Sequence, residues 1–363
     1  MTARTSPVTL TPLLGFPEVH KGDDLADIVL KALQHNGIKL IDGDILVISS
    51  KVASKAMGLS APSAQRADVV LSQTVRVVAE RMTPSGVTRI VESAAGPVMT
   101  AAGVDASNTA DESIVLILPG DPDAVAEEIR KGVQSGWATL SGTHLRVGVV
   151  LSDTAGRPWR VGQTDFALGA AGIRVVDDLR GSRDADGRVL SVTERCVADE
   201  IAAAADLVKG KTTGIPAAHI RGLSTYVRGG EPAAGARDLV RTGPVDWFGY
   251  GTVEAVRAAL GVEPGSAQAI VVGIPPMDGE TPADKANRAM RVALLSCPDA
   301  SAHVDGDTVQ LVAADDFVLG VAATRTEVAM RGEGLTTTLT RSPAPPFADE
   351  GLTAHSHVLI VFQ

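Results

Sequence analysis

The chain has 363 residues, enough for two domains with sizeable cores, and 45% of them are hydrophobic whereas only 3% are aromatic. The formal net charge is −10 and no basic block is present, which argues against a nucleic-acid partner. Cys196 and Cys297 lie far apart, which argues against a disulfide framework or a zinc motif. No secretory signal and no apolar run of about 18 residues is found, so we expect a cytoplasmic protein without a membrane span.

The first part of the chain predicts strands alternating with helices. A helix is expected over 25–34, and a buried strand over 45–48. The strand leads into SSKVASK (49–55), whose hydroxyl and ammonium groups can hold the phosphates or ribose of a nucleotide, because ligands bind beyond the carboxyl ends of strands. The alternative is that Lys51 and Lys55 lie on an ordinary solvated helix face.

Two weaker features follow. The stretch 64–81 is predicted to be a single helix. In AAGVDASN (101–108), Asp105 comes three residues before Asn108 in a predicted turn. By itself, this pattern is more typical of an Asx-type turn than of a metal site.

The segment SDTAGRPWRVGQTD (152–165) carries the densest set of chemical groups. It follows 145–151, a predicted buried strand that ends at 152–154 before a Gly-Arg-Pro turn. An acid and a hydroxyl at a strand end suit a divalent cation that itself holds phosphates, and Arg157 and Arg160 can bind phosphate or carboxylate. The alternative is a strand–turn–strand corner with a solvated arginine face.

The later part of the chain predicts a helix over 194–208 and then the loop KGKTTGIP (209–216). That loop can wrap phosphates, although it does not match the P-loop pattern. A linker is predicted over 262–267, with helices and strands beyond it. We therefore expect two domains, 1–260 and 261–363, of which the second is a small α+β module.

Six segments in this order resemble the coenzyme F420-0:L-glutamate ligase family, over roughly residues 8–250. They are GFPEV (15–19), SSKVASK (49–55), AAGVDASN (101–108), SDTAGRPWRVGQTD (152–165), GAAGI (169–173) and ADEIAAAADLVKGK (198–211). The resemblance implies an α/β fold with large mixed sheets and an intertwined homodimer. A shortened C-terminal region of an actinobacterial type is also expected.

The activity implied by the resemblance is a GTP-dependent amide ligase without a P-loop. GTP phosphorylates the terminal carboxylate of the phospholactyl tail of F420-0, the amine of L-glutamate attacks the acyl phosphate, and further γ-linked glutamates follow. The implied cofactors are Mg²⁺ or Mn²⁺, two per site, with K⁺ as a further candidate. Two alternatives are a GTP- and metal-dependent ligase for another carboxylate and a non-catalytic nucleotide-binding scaffold.

The resemblance also implies roles for individual residues. Asp105 and Asp153 match metal ligands, and Thr154 lies beside a second metal. Asp153, Arg157 and Arg160 are expected to act in catalysis, with the arginines placed among the anions. The residues that match nucleotide contacts are Phe16, Pro17, Glu18, Val19, Ser50, Lys55, Asn108, Lys209, Gly210, Lys211 and Pro216.

Two departures from the family are visible. Some archaeal members have glutamine or glutamate in the late loop that helps to hold the second metal, whereas Lys209 and Lys211 cannot ligate as ammonium ions. Long actinobacterial relatives carry an FMN-binding, nitroreductase-like domain, for which 262–363 is too short and too acidic. We expect no FMN, and 316–339 is either a remnant of that domain or part of an unrelated module.

Overall fold

The computed structural model describes residues 7–107, 109, 111–229, 235–341 and 356–363. The chain divides into two compact units. Unit 1 comprises residues 1–75 and 92–242, and unit 2 comprises 76–91 and 243–363. The domain limits 1–260 and 261–363 stay a prediction.

The helices and strands of the described residues are numbered in chain order. The α-helices are α1 (Leu25–His35), α2 (Ser50–Met57), α3 (Arg66–Ser72), α4 (Pro122–Ser141), α5 (Val197–Lys209), α6 (Thr252–Ala259), α7 (Ala267–Val272), α8 (Pro282–Leu294) and α9 (Asp316–Gly332). The strands are β1 (Thr9–Pro12), β2 (Asp44–Ser49), β3 (Ser60–Pro62), β4 (Thr74–Thr83), β5 (Gly86–Ser93), β6 (Val98–Thr100), β7 (Ile114–Leu116), β8 (Val147–Arg157), β9 (Arg160–Ala171), β10 (Val176–Asp178), β11 (Glu194–Cys196), β12 (Ala217–Arg221), β13 (Ala300–Asp305), β14 (Thr308–Ala313), β15 (Thr337–Arg341) and β16 (Ser356–Phe362).

A five-stranded mixed sheet of order β1-β12-β2-β8-β9 lies at the centre of unit 1. β2 and β8 run parallel, and the other neighbouring strands are antiparallel. Helices α1 and α4 pack on one face of the sheet and α5 on the other, so a separate apolar core forms on each side. β2 and the first half of β8 are apolar along both faces, as expected for strands covered on both sides. The predicted α/β class is confirmed.

The strand predicted over 145–151 does not stop at Ser152. β8 continues to Arg157 and pairs with β9, so residues 152–165 form most of an antiparallel hairpin. Its turn contains Trp159 in a left-handed conformation, at φ 59°. The prediction of a strand end at 152–154 is therefore wrong, and the alternative of a strand–turn–strand corner describes this segment better.

The helix predicted over 64–81 is also wrong. Only Arg66–Ser72 is α-helical, and the chain then enters the strand Thr74–Thr83. That second half is rich in valine and threonine, whose branched side chains pack well on a pleated strand and lose rotamer freedom in a helix. Similarly, the helix predicted from Glu194 begins at Val197, after the short strand β11.

Unit 2 is built on a four-stranded antiparallel sheet of order β13-β14-β16-β15, against which α9 packs. Val262 is buried in this core between α6 and α7, so the prediction of a linker over 262–267 is wrong. Among the helices of unit 2, Arg257 of α6 and Arg288 of α8 share the carboxylate of Glu333 at the end of α9, and Arg288 also bonds Glu280. No helix among the described residues has both the length and the apolar character needed to cross a bilayer.

Candidate active site

Four of the predicted segments meet at one edge of the five-stranded sheet. The carboxyl ends of β2 and β8 lie side by side because these strands are parallel, with Ser49 opposite Ser152. β12 is antiparallel to β2, so the loop 209–216 before it reaches the same edge, where the Ser49 N–H donates to the Pro216 carbonyl at 2.8 Å. β1 is antiparallel to β12, which brings the loop after Pro12 to this edge as well.

The first of these loops is tied to α2. Lys55 Nζ donates to Glu18 Oε1 at 2.5 Å. Val19 is buried, Phe16 packs half-buried against the same core, and Pro17 is exposed. The apolar side chains therefore anchor the loop, while Glu18 and Lys55 present charged groups near the edge.

Helix α2 also reaches the turn that holds Asp105. Ser50 is the first residue of α2 and is buried. Lys51, the next residue, places its Nζ 2.8 Å from Asp105 Oδ2 and donates to the Ser107 carbonyl at 2.6 Å. The resemblance gave Lys51 no role, although the pattern of residues 49–55 offered its ammonium group as a phosphate contact. The structure makes Lys51 the cation paired with a predicted metal ligand.

The backbone before Asp105 is bent by three consecutive left-handed residues. Ala101, Ala102 and Gly103 have φ values of 53°, 53° and 74°. Left-handed alanines cost free energy and persist where the surrounding structure holds them. Here Asp105 exchanges two backbone hydrogen bonds with Leu116, at 3.1 and 2.8 Å, which fix the backbone at this residue.

Asp105 and Asp153 differ in how their charge is stabilised. Burial alone would raise the pKa of Asp105, but hydrogen bonds from Lys51 and Ser107 outweigh it and lower that pKa. Burial raises the pKa of Asp153 to about 6, and the nearby charges of Asp105 and Asp165 act in the same direction. Asp153 is therefore a carboxylate that the fold leaves short of positive charge.

A second polar group lies on the opposite face of the β8–β9 hairpin, since side chains alternate along a strand. Its centre is the buried Asp165. Asp165 Oδ2 accepts from Lys209 Nζ at 2.7 Å and from Ser152 Oγ at 2.9 Å. Asp165 Oδ1 accepts from Thr154 Oγ1 at 2.5 Å and from Lys211 Nζ at 3.1 Å, and Lys211 also donates to the Thr154 hydroxyl.

Asp165 and Ser152 were not among the predicted site residues. Both lie within the segment 152–165 that the sequence singled out, but the prediction of a turn there separated them. A hairpin over this segment would have placed Asp165 directly opposite Thr154, as the observed register does. The available signal was the pair of hydroxyls at 152 and 154, two residues apart and so on one face of a strand, with an acid at 165 beyond the turn.

Arg157 and Arg160 lie at the tip of the hairpin and are exposed. Along an extended strand, four residues separate Arg157 from Asp153, a distance of about 13 Å. Within one chain these arginines are thus remote from the carboxylates. Their catalytic role stays a prediction.

The late loop begins where α5 ends. Lys209 is the last residue of α5 and is buried, and Gly210 follows in a left-handed conformation at φ 67°. Pro216 directly precedes β12 and accepts a hydrogen bond from the Ser49 N–H. Asn108, the remaining predicted nucleotide contact, lies outside the described residues.

Residues 14–222, which include every segment of this edge, match the sequence model of a family described as F420-0:Gamma-glutamyl ligase. The chain belongs to this family. The resemblance drawn from the ordered motifs is therefore confirmed, as is the prediction of a ligase of this kind. The family match ends before residue 243, where the chain returns to unit 2.

Archaeal ligases are similar to this chain over the same region. The coenzyme F420:L-glutamate ligase of Archaeoglobus fulgidus is 36% identical over 239 residues, which are 61% of this chain and 90% of that protein. The protein of the same name from Methanothermobacter thermautotrophicus is 38% identical over 231 residues, 59% of this chain and 89% of its own length. The protein of the same name from Natronomonas pharaonis is 35% identical over 228 residues, which are 57% of this chain and 83% of that protein.

The two faces of the hairpin differ in how well they suit the divalent cations expected for an F420-0:gamma-glutamyl ligase. Asp105 and Asp153 fit one ion, since Mg²⁺ and Mn²⁺ prefer carboxylate oxygens and share sites with phosphate oxygens. No group of three or more His, Cys, Asp and Glu side chains arranged to hold a metal is found in the described part of the chain. The surroundings of Thr154 fit a second ion poorly, because both oxygens of Asp165 already accept from lysines.

Proposed function

We propose that the protein joins L-glutamate to the phospholactyl tail of coenzyme F420-0, with GTP as the phosphate donor, and then adds γ-linked glutamates. The observation that carries this proposal is the pair Asp105 and Asp153 at the sheet edge, inside the region that matches the family. The names of the archaeal relatives support glutamate and F420 as the substrates. The roles of GTP and of an acyl-phosphate intermediate are supported by the family resemblance and by the charged side chains at the sheet edge.

The chemical difficulty of this reaction is electrostatic. A carboxylate must approach a γ-phosphate, so two anions are brought together while charge spreads over the transferring phosphoryl group. Fixed cations and a metal ion offset that repulsion. Lys51, Lys55 and Lys211 provide three such cations at one edge of the sheet.

Asp105 and Asp153 would hold Mg²⁺ or Mn²⁺, which when bound neutralises phosphate oxygens. Lys51 already bonds Asp105, so it keeps one carboxylate of the pair in position before any ion binds. Lys55 bonds the exposed Glu18, a carboxylate that water can solvate if the lysine turns to a phosphate. We propose Phe16, Pro17, Glu18, Val19, Ser50, Lys55, Gly210 and Pro216 as the surroundings of the nucleotide.

We also propose that the protein forms a homodimer. The hairpin arm at 155–163 supports this, because Trp159 is 83% exposed and Val161 is fully exposed at its tip. Apolar side chains at the end of a two-stranded arm are stabilised by packing against a second chain. Light scattering should give twice the mass of one chain, and a monomer at every concentration would contradict the proposal.

The function is tested by incubating the full-length protein with F420-0, GTP, Mg²⁺ and L-glutamate, followed by mass spectrometry. We expect products one or more glutamate residues heavier, formed together with GDP and phosphate. ATP in place of GTP, and aspartate in place of glutamate, are the matched controls. Consumption of GTP with another carboxylate but not with F420-0 would instead favour a ligase for a different substrate.

A further inference from the structure

The lysines of the late loop are held by a carboxylate that has no remaining capacity to bind a cation. Asp165 has a side chain 3% exposed and accepts four hydrogen bonds, two at each oxygen. Two of the donors are ammonium groups, Lys209 and Lys211. A carboxylate offers about four lone-pair directions, so this set uses them all.

Lys209 is a fixed part of this group. Its side chain is 4% exposed, and its Nζ lies 2.7 Å from both Asp165 Oδ2 and Ser152 Oγ. It is the last residue of α5, where the helix dipole favours a positive charge. The helix end and the buried carboxylate therefore hold the ammonium in one position.

Lys211 is the outward-facing member. Its side chain is 58% exposed, yet its ammonium contacts Asp165 and the hydroxyl of Thr154, and it lies 3.6 Å from Asp206. It therefore covers the side of Thr154 on which a cation bound by that hydroxyl would have to lie.

The two faces of the hairpin differ in net charge. Asp105, Asp153 and Lys51 together carry one negative charge. The opposite group of Asp165, Asp206, Lys209 and Lys211 is neutral. A divalent cation is attracted to the first face, whereas on the second it would have to displace an ammonium from Asp165.

We propose that the ammonium group of Lys211, supported by Lys209 on Asp165, takes the place beside Thr154 that a second divalent cation would need. The subunit then binds one divalent cation, at Asp105 and Asp153, and on the other face presents the exposed ammonium charge of Lys211 within a group of zero net charge. The expected use of the Lys211 charge, which is to contact a phosphate of the nucleotide, rests on the proposed function. The exclusion of the cation itself rests on the geometry alone.

The test counts Mn²⁺ bound to the full-length protein by the loss of the free-ion electron paramagnetic resonance signal. Lys211→Gln removes the charge and supplies an amide oxygen, so this variant should bind one more Mn²⁺ than the wild type. Lys211→Arg keeps the charge and should bind the same number as the wild type. Lys131→Gln, on the exposed side of α4, is the control for loss of a lysine elsewhere.

The outcomes separate this inference from the proposed function. An additional Mn²⁺ in Lys211→Gln and not in Lys211→Arg or Lys131→Gln supports the inference. Equal binding by Lys211→Gln and the wild type overturns it, as does a second Mn²⁺ in the wild type that persists in Asp153→Asn. Asp153→Asn tests the other face of the hairpin, where it should lose the first Mn²⁺. If this variant keeps that ion, the result counts against the proposed metal site, but the comparison of Lys211→Gln with the wild type can still be interpreted.

Discussion

Thr154 and Asp165 lie directly opposite each other on β8 and β9 and are joined by a 2.5 Å hydrogen bond, while Asp153, the neighbour of Thr154, belongs to the other face of the hairpin. The consequence is that the polar segment 152–165 serves two different groups. One face presents Asp153, a carboxylate that lacks positive charge, and the other presents two lysines bonded to a buried carboxylate.

Replacing Asp153 by asparagine should abolish turnover without unfolding the protein. The substitution removes a proposed metal ligand, which should lower kcat by orders of magnitude. Because burial and neighbouring acids raise the pKa of Asp153 to about 6, the folded state does not depend on its negative charge. Glutamate addition and a thermal melt are the measurements.

Asp186→Asn, in an exposed turn, is the matched control and should be active. Activity of Asp153→Asn at saturating Mg²⁺ would rule out its role as a ligand.

Replacing Lys209 by methionine should destabilise unit 1 strongly. The change leaves Asp165 buried with one of its two ammonium partners missing, and breaking a buried ion pair in this way costs about 3–5 kcal/mol. Chemical denaturation measures the loss of unfolding free energy. Asp165→Asn combined with Lys209→Met should cost less than the sum of the single changes, because the two residues interact directly.

Lys31→Met is the matched control, since Lys31 forms an exposed pair with Asp27 on α1. A similar loss of stability in both methionine variants would show that Lys209 has no special role.

Asp44 should make the stability of unit 1 sensitive to acid. Burial alone would raise its pKa, but hydrogen bonds from Arg221 and from the Ile41 N–H, together with the His219 imidazole 2.9 Å away, lower it to about 2, against an ordinary value of 3.8. A depressed carboxyl pKa stabilises the fold above the unfolded-state pKa, and this contribution is lost as the pH falls from about 4 to 2. The contribution at neutral pH is about 2 kcal/mol.

Denaturation of the wild type and Asp44→Asn at pH 7 and near pH 3 measures this effect. The difference between the two proteins should be larger at pH 7, and a difference independent of pH would contradict the assignment.

Unit 2 should bind no flavin. Its buried guanidinium groups are not available to a phosphate, since Arg257 and Arg288 are paired with Glu333, and Arg288 also with Glu280. In addition, residues 260–363 include more than twice as many acidic as basic residues, and this negative charge repels a phosphate dianion. We expect purified full-length protein to lack flavin absorbance, before and after incubation with FMN; a bound yellow chromophore would contradict this.

Several elements could be predicted because their signals are local. The helix over 25–34 was predicted from its apolar spacing, and it is present with its end shifted by one residue. The family resemblance was recognisable for a similar reason, since each motif is a short run of residues. The helix over 64–81 failed because β-branched residues after Ser72 favour a strand, and a short apolar run does not distinguish the two.

The amino-acid sequence by itself determined the family, the α/β class and most of the residues that line the sheet edge, because these follow from ordered motifs and local patterns. Only the tertiary structure decided that β8 continues past Ser152 and that Asp165 binds both lysines. The physical reason is that strand pairing depends on contacts between residues distant along the chain. A register across the hairpin turn assigns each polar side chain to one face or the other.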